Sequence, residues 1–132
     1  MGYRSDVHAV FYTQKREDWP LLKLFVEENF PMDELGGCLS EFHGKWHGFH
    51  FHSEYVKWYE SYSEVQAFDN FVERFVGQIA LGVDSSRWCY EFARIGEDYS
   101  DIEHAVEGHA DNLLEIHRVI ATEFLHEDAT QA

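Results

Sequence analysis

The sequence predicts a single α+β domain over residues 1–132, in the order β-α-β-β-α-β followed by a C-terminal β-hairpin. Two patterns and one number predict it. Apolar residues recur at every second position in some stretches and at every third or fourth in others, and the two periods alternate along the chain. A glycine-led pivot at Gly44-Lys45 separates two runs of strand character. The length of 132 residues has room for one core, and a chain of this size buries roughly 65–70% of its unfolded surface.

Each element has its own warrant. Residues 5–13, SDVHAVFYT, alternate with Val7, Ala9 and Phe11 on one side and His8, Val10 and Tyr12 on the other. Both sides are apolar enough for an interior strand. Over residues 16–31 the period changes: Asp18 stands at the N-cap, Pro20 in the first turn, and Leu21, Leu22, Phe25 and Val26 form a helical stripe. Pro31 ends that helix by forcing its predecessor out of the α region.

Residues 36–59 read as a hairpin. A two-residue turn at Gly44-Lys45 sets His43 opposite Trp46 and gives Cys38, Phe42, Phe49 and Phe51 to a core face. Glu41, His43, His50, His52 and Glu54 then fall on the wet face. Residues 61–82 make the strongest helix, with Ser63 and Gln66 at capping-box spacing and Val65, Phe68, Val72, Phe75 and Ile79 on one stripe. Glu64, Asp69 and Glu73 line its polar side. Residues 87–96 return to strand chemistry, 96–103 form an acidic turn, and 104–108 and 112–124 supply the last two strands, with a helix the alternative for 112–124 that its Val, Ile and Thr content disfavours. This order is that of the ferredoxin-like split βαβ fold: an antiparallel sheet with two helices on one face, the other face open to water or a partner.

Ten basic and twenty-five acidic residues leave a net charge of −15. Such a mean field repels nucleic acid and anionic lipid and attracts basic partners. Direct nucleic-acid binding is therefore disfavoured, and imitation of nucleic acid before a basic protein is the sharper form of the partner reading. Cys38 and Cys89 lie far apart in sequence and form no CxxC pair, as expected of reduced thiols in a cytoplasmic protein. The N-terminus is polar where a secretory signal needs an apolar stretch, and no apolar run approaches a membrane span.

Three stretches, MGYRSDV at the start, VKWYESYSEVQAFDNF in the middle and EFARIGEDYSDIE near the end, carry a resemblance. Together the chain resembles a group of small acidic proteins encoded by tailed phages and prophages. The resemblance implies a phage gene expressed in the bacterial cytoplasm and no mechanism. By analogy it favours a protein that binds a host or defence protein.

Two sets of residues are candidate sites. His50 and His52 project to one side of a strand, and with His43 across the hairpin and Glu41 they offer a ligand set for Zn²⁺, with His47 pointing away. No motif of fixed mechanism supports this set, and a solvated histidine face is the simpler reading. No nucleophile elbow, Walker loop, zincin helix or dinucleotide fingerprint occurs, so the chain reads as a binding protein more than an enzyme, the alternative being a metal-binding protein or metal-dependent enzyme that uses the hairpin histidines. For a protein interface the candidates are Trp58, Tyr59 and Tyr62 as aromatic anchors, with Glu97, Asp98, Asp101 and Glu103 of the acidic turn. The partner is a basic host or defence protein, with a homodimer through the open sheet face as the second form.

Overall fold

The computed structural model describes residues 3–80, 88–98, 100–108 and 113–114. Five strands form one antiparallel sheet: β1 (Ser5–Thr13), β2 (Cys38–Phe42), β3 (His47–Val56), β4 (Trp88–Gly96) and β5 (Ile102–Glu107). Their spatial order is β2-β3-β1-β4-β5. A 3-10 turn at Arg16–Asp18 leads into α1 (Trp19–Asn29) and the short α2 (Met32–Leu35), and α3 (Ser63–Ala80) lies between β3 and β4 in sequence. The protein is α+β. Of the final strand expected at 112–124, all but Leu113 and Leu114 lies outside the described residues. No helix among the described residues is long and apolar enough to cross a membrane.

β1 is central, paired with β3 on one side and β4 on the other. Its composition requires this, because Val7, Ala9 and Phe11 on one face and Val10 and Tyr12 on the other are all buried. On the first face Phe11 packs against the rings of Phe30, Phe68, Phe71, Phe75 and Tyr90, at centroid distances of 5.1 to 6.4 Å. Such offset and edge-on pairs stabilise beyond the area they bury. Leu22 and Val26 of α1 and Phe49 and Phe51 of β3 join the same cluster. Leu21, expected on the α1 stripe, is 67% exposed. It stands about 100° around the helix from Leu22, and Leu22 takes the inward position.

The hairpin register departs from expectation by one residue. Phe42 pairs with Gly48 and Ser40 with His50, so the loop occupies residues 43–46. A two-residue turn at Gly44-Lys45 would have paired Phe42 with His47. Side chains alternate with a period of two, so a one-residue slip exchanges the faces of β2. Cys38 and Phe42 therefore share the face of His50 and His52, whereas Glu41 shares the face of Phe49. On its other side Gly48 pairs with Tyr12 of β1, and a Cβ there would stand 2.5 Å from both the Phe11 carbonyl oxygen and the Tyr12 Cβ.

The second face is not bare. Val10, Tyr12 and Cys89 form a smaller cluster over which Phe42, Trp46, Leu113 and Leu114 pack. Glu91, fully buried beside it, secures this cover. Its carboxyl oxygens accept hydrogen bonds from the Tyr12 hydroxyl at 2.5 Å and from the backbone N–H groups of Leu113 and Leu114 at 3.0 Å each.

Removing a ring from the first-face cluster leaves a cavity that rigid neighbours cannot fill. Phe68→Ala and Phe75→Ala should each cost ~3–5 kcal/mol in denaturant unfolding. A loss below ~1 kcal/mol at both would mean that α3 does not pack on Phe11.

Candidate functional site

A groove of about 670 Å³ runs between α3 and the β4–β5 edge of the sheet. It arises from a mismatch of width. β5 extends the sheet beyond β4, and its residues Glu103, Ala105 and Glu107 pair with Arg94, Phe92 and Tyr90 on the face that α3 shares. On α3, Val65, Asp69, Val72 and Val76 recur at spacings of four, three and four and line the opposite wall. Phe68 and Phe92, centroids 5.8 Å apart, form the floor. Ala105 supplies no bulk above Phe92, so the space stays open.

Carboxylates rim this apolar floor, and they fall into two kinds. Asp101 and Glu103 are engaged by Arg94. The guanidinium holds Asp101 through two bonds of 2.7 and 3.1 Å, donates to Glu103 at 3.0 Å, and also donates to the Ser5 hydroxyl. The hydrogen bond to Asp101 is the main cause of the upward shift of the Arg94 pKa. Glu60, Asp69, Glu73 and Glu107 are of the other kind, with no hydrogen-bond or ion-pair partner for their side chains among the described residues. Burial, and then the charges of Glu103 and Glu60, hold Asp69 above its ordinary value.

Tyr90 adds a second unmet group. It is 5% exposed, it lines the groove, and its hydroxyl has no hydrogen-bond partner among the described residues. Burial first, and then the charges of Asp69, Glu103 and Glu107, push its pKa up, so the hydroxyl keeps its proton. A buried unpaired hydroxyl is uncommon and costs free energy.

The interface candidates from the sequence divide between this groove and the turn beside it. Trp58 lines the groove and packs on Phe68 with ring centroids 5.3 Å apart. Tyr59 and Tyr62 pack on each other at 5.0 Å, and the Tyr59 oxygen accepts the Tyr3 backbone N–H. All three aromatics are half-buried, and the exposed ring of this segment is Tyr55 at 71%. In the acidic turn, Glu97 accepts the Arg4 backbone N–H, and the Asp98 backbone N–H donates to the Tyr3 hydroxyl. That hydroxyl in turn donates to Asp101 at 2.6 Å. These acids organise the turn. Asp69, Glu107 and Tyr90 were not legible as site residues, although the 65-69-72-76 spacing marks Asp69 as an acid within an apolar stripe.

The four proposed metal ligands do not share one place. Glu41 and His43 meet at the hairpin tip, 3.0 Å apart, with Lys23 at 3.6 Å from Glu41. His43 also touches His47 at 2.9 Å, the histidine expected to point away. The hydrogen bond from His43, followed by the charge of Lys23, holds the Glu41 carboxyl below its usual range. His50 and His52 lie on the other face with His8 of β1, which the sequence reading did not connect to them. The His8 Nδ1 and the His50 Nε2 are 2.9 Å apart, and the three rings stack within 15–29° of parallel. The two nitrogens that meet, His8 Nδ1 and His50 Nε2, are engaged with each other by that hydrogen bond. Among the described residues no group of three or more His, Cys, Asp and Glu side chains is arranged to hold a metal.

Two predictions follow from this geometry. Tyr90→Phe should keep or raise stability, by up to ~1 kcal/mol, since it deletes a buried hydroxyl that lacks a partner; a large loss in thermal unfolding would reveal a bond. The stacked histidines set a pH dependence. Burial, and then like charge from neighbouring imidazoles, lowers His8 and His50 below the usual value, with Glu54 and Asp6 opposing this at His8. A depressed folded pKa means that the unfolded chain takes up protons first. Their contribution to stability is thus complete above the unfolded value of about 6.5 and is lost as pH falls through the folded values. Replacing His8 and His50 with Gln should flatten the fall in stability between about pH 7 and pH 5, measured by urea unfolding. An unchanged slope would remove the stack as its cause. In comparison with known proteins, no family model matches the chain, and no curated protein or solved structure matches it.

Proposed function

We propose that the protein acts by binding a basic partner protein, and that the acidic groove beside α3 is the seat of that contact. One observation carries the reading: the carboxylates of Glu60, Asp69, Glu73 and Glu107 rim an apolar floor without counter-ions among the described residues. Like charges gathered at a low-dielectric surface raise each other's energy, and a cationic partner relieves that cost. The net charge of −15 adds long-range attraction of the same sign. The phage setting implied by the sequence resemblance makes the partner a host or defence protein in the bacterial cytoplasm, and the protein its inhibitor or modulator. For the fold we propose the ferredoxin-like split βαβ arrangement with both helices on one face. The strand order β2-β3-β1-β4 and the shared packing of α1 and α3 residues around Phe11 support it, with β5 added at the edge.

The test is the salt dependence of the complex. With the partner recovered on untagged protein and then purified, affinity should fall by about tenfold or more between about 50 and 300 mM salt, chiefly through slower association. A complex insensitive to salt would overturn the electrostatic reading, and a concentration-dependent dimer of this chain alone would replace it with a homodimer.

A further inference from the structure

We infer that the groove is filled by an extended basic segment of the partner, about five residues long, with an apolar side chain on the Phe68–Phe92 floor and lysine or arginine side chains reaching Asp69, Glu73 and the Tyr90 hydroxyl. The inference rests on the reading just proposed and narrows it. A protein that imitates nucleic acid presents its charge on an outward ridge that enters a partner's cleft. Here the charge surrounds a concavity, so the partner inserts into this protein.

Shape, chemistry and an unmet hydrogen bond agree on that occupant. From Val65 to Val76 the wall of α3 runs ~16 Å at 1.5 Å per residue, the length of about five residues of extended chain. The volume, about 670 Å³, lies within the range of roughly 300–1,000 Å³ typical of ligand sites. An apolar floor beneath a charged rim matches the lysine side chain, whose methylene stem lies along apolar surface while its ammonium stays at the polar edge. A small inorganic cation would leave the floor bare, and a neutral apolar ligand would bury the carboxylates unpaired. Arg94 does not fill the role from within, since Asp101 and Glu103 already engage it. The Tyr90 hydroxyl, buried at the groove wall without a partner among the described residues, is a preformed contact for an incoming polar group.

The test uses fluorescein-labelled peptides of about seven residues, alternating Lys with Leu or Lys with Gly, read by anisotropy at low salt. Both carry the same charge, and only the first has apolar side chains for the floor. The full chain should bind the Lys-Leu peptide about tenfold more tightly than the Lys-Gly peptide. Asp69→Asn with Glu73→Gln should weaken the Lys-Leu peptide by about tenfold, whereas Glu17→Gln with Glu27→Gln, the same loss of charge on exposed positions elsewhere, should change it by less than about twofold. Equal weakening by both pairs, or equal affinity for both peptides, would show that the mean field attracts the peptide without the groove; that overturns the inference and leaves the basic-partner reading standing. Failure of both peptides to bind would overturn both. Displacement of the peptide by spermine, with the same dependence on Asp69 and Glu73, would assign the groove to a small polyamine and overturn the protein segment.

Discussion

The structure depends on one constraint: β1 is apolar on both faces and must be covered on both. A strand of that kind cannot sit at an edge, so β3 and β4 flank it, and β2 and β5 are pushed outward. Phe11 is the point at which this constraint becomes packing. Its ring meets Phe30 after α1, three phenylalanines of α3 and Tyr90 of β4, so both long helices are positioned by one residue of the central strand. α3 covers β1 and β4, and β5 is left beyond its reach. The groove is the geometric remainder of that arrangement.

The same residue type does opposite work on the two sides of the groove. Asp101 and Glu103 spend their charge on Arg94, which ties the β4–β5 turn to Ser5 at the start of β1. Asp69 and Glu73, a turn apart on α3, have no such cation among the described residues. An apolar residue in the place of Asp69 would extend the valine stripe and close more of the floor, so the acid there forgoes packing. Groups that sacrifice packing without a structural return are the natural candidates for function.

Much of the fold was legible from period alone. β1 ends where the alternation ends, and Phe68 and Phe75 are buried as their spacing requires. The hairpin register was not legible, because a glycine-led dipeptide signals a tight two-residue turn and the chain instead takes a four-residue loop over 43–46. That one-residue difference separated Glu41 from His50, and the pairing of β1 with β3 brought His8 beside His50 and His52. The groove was less legible still. Its walls come from elements far apart in the chain, and its key acid, Asp69, looks like an ordinary polar-side residue until β5 is placed opposite. Charge composition pointed to a basic partner, but it could not distinguish a ridge from a hollow.

β5 has a consequence of its own. Every one of its residues is exposed, and the strand is tied in by its backbone ladder to β4 and by the Arg94–Glu103 contact. Segments of that kind open at a small fraction of the free energy that unfolds the whole domain. One wall of the groove is therefore soft and the other, α3 on its phenylalanine core, is rigid. An occupant that bridges the two walls must order β5 as it binds. Its affinity is then discounted by that ordering, and protection of the β5 amides against hydrogen exchange becomes a measure of occupancy.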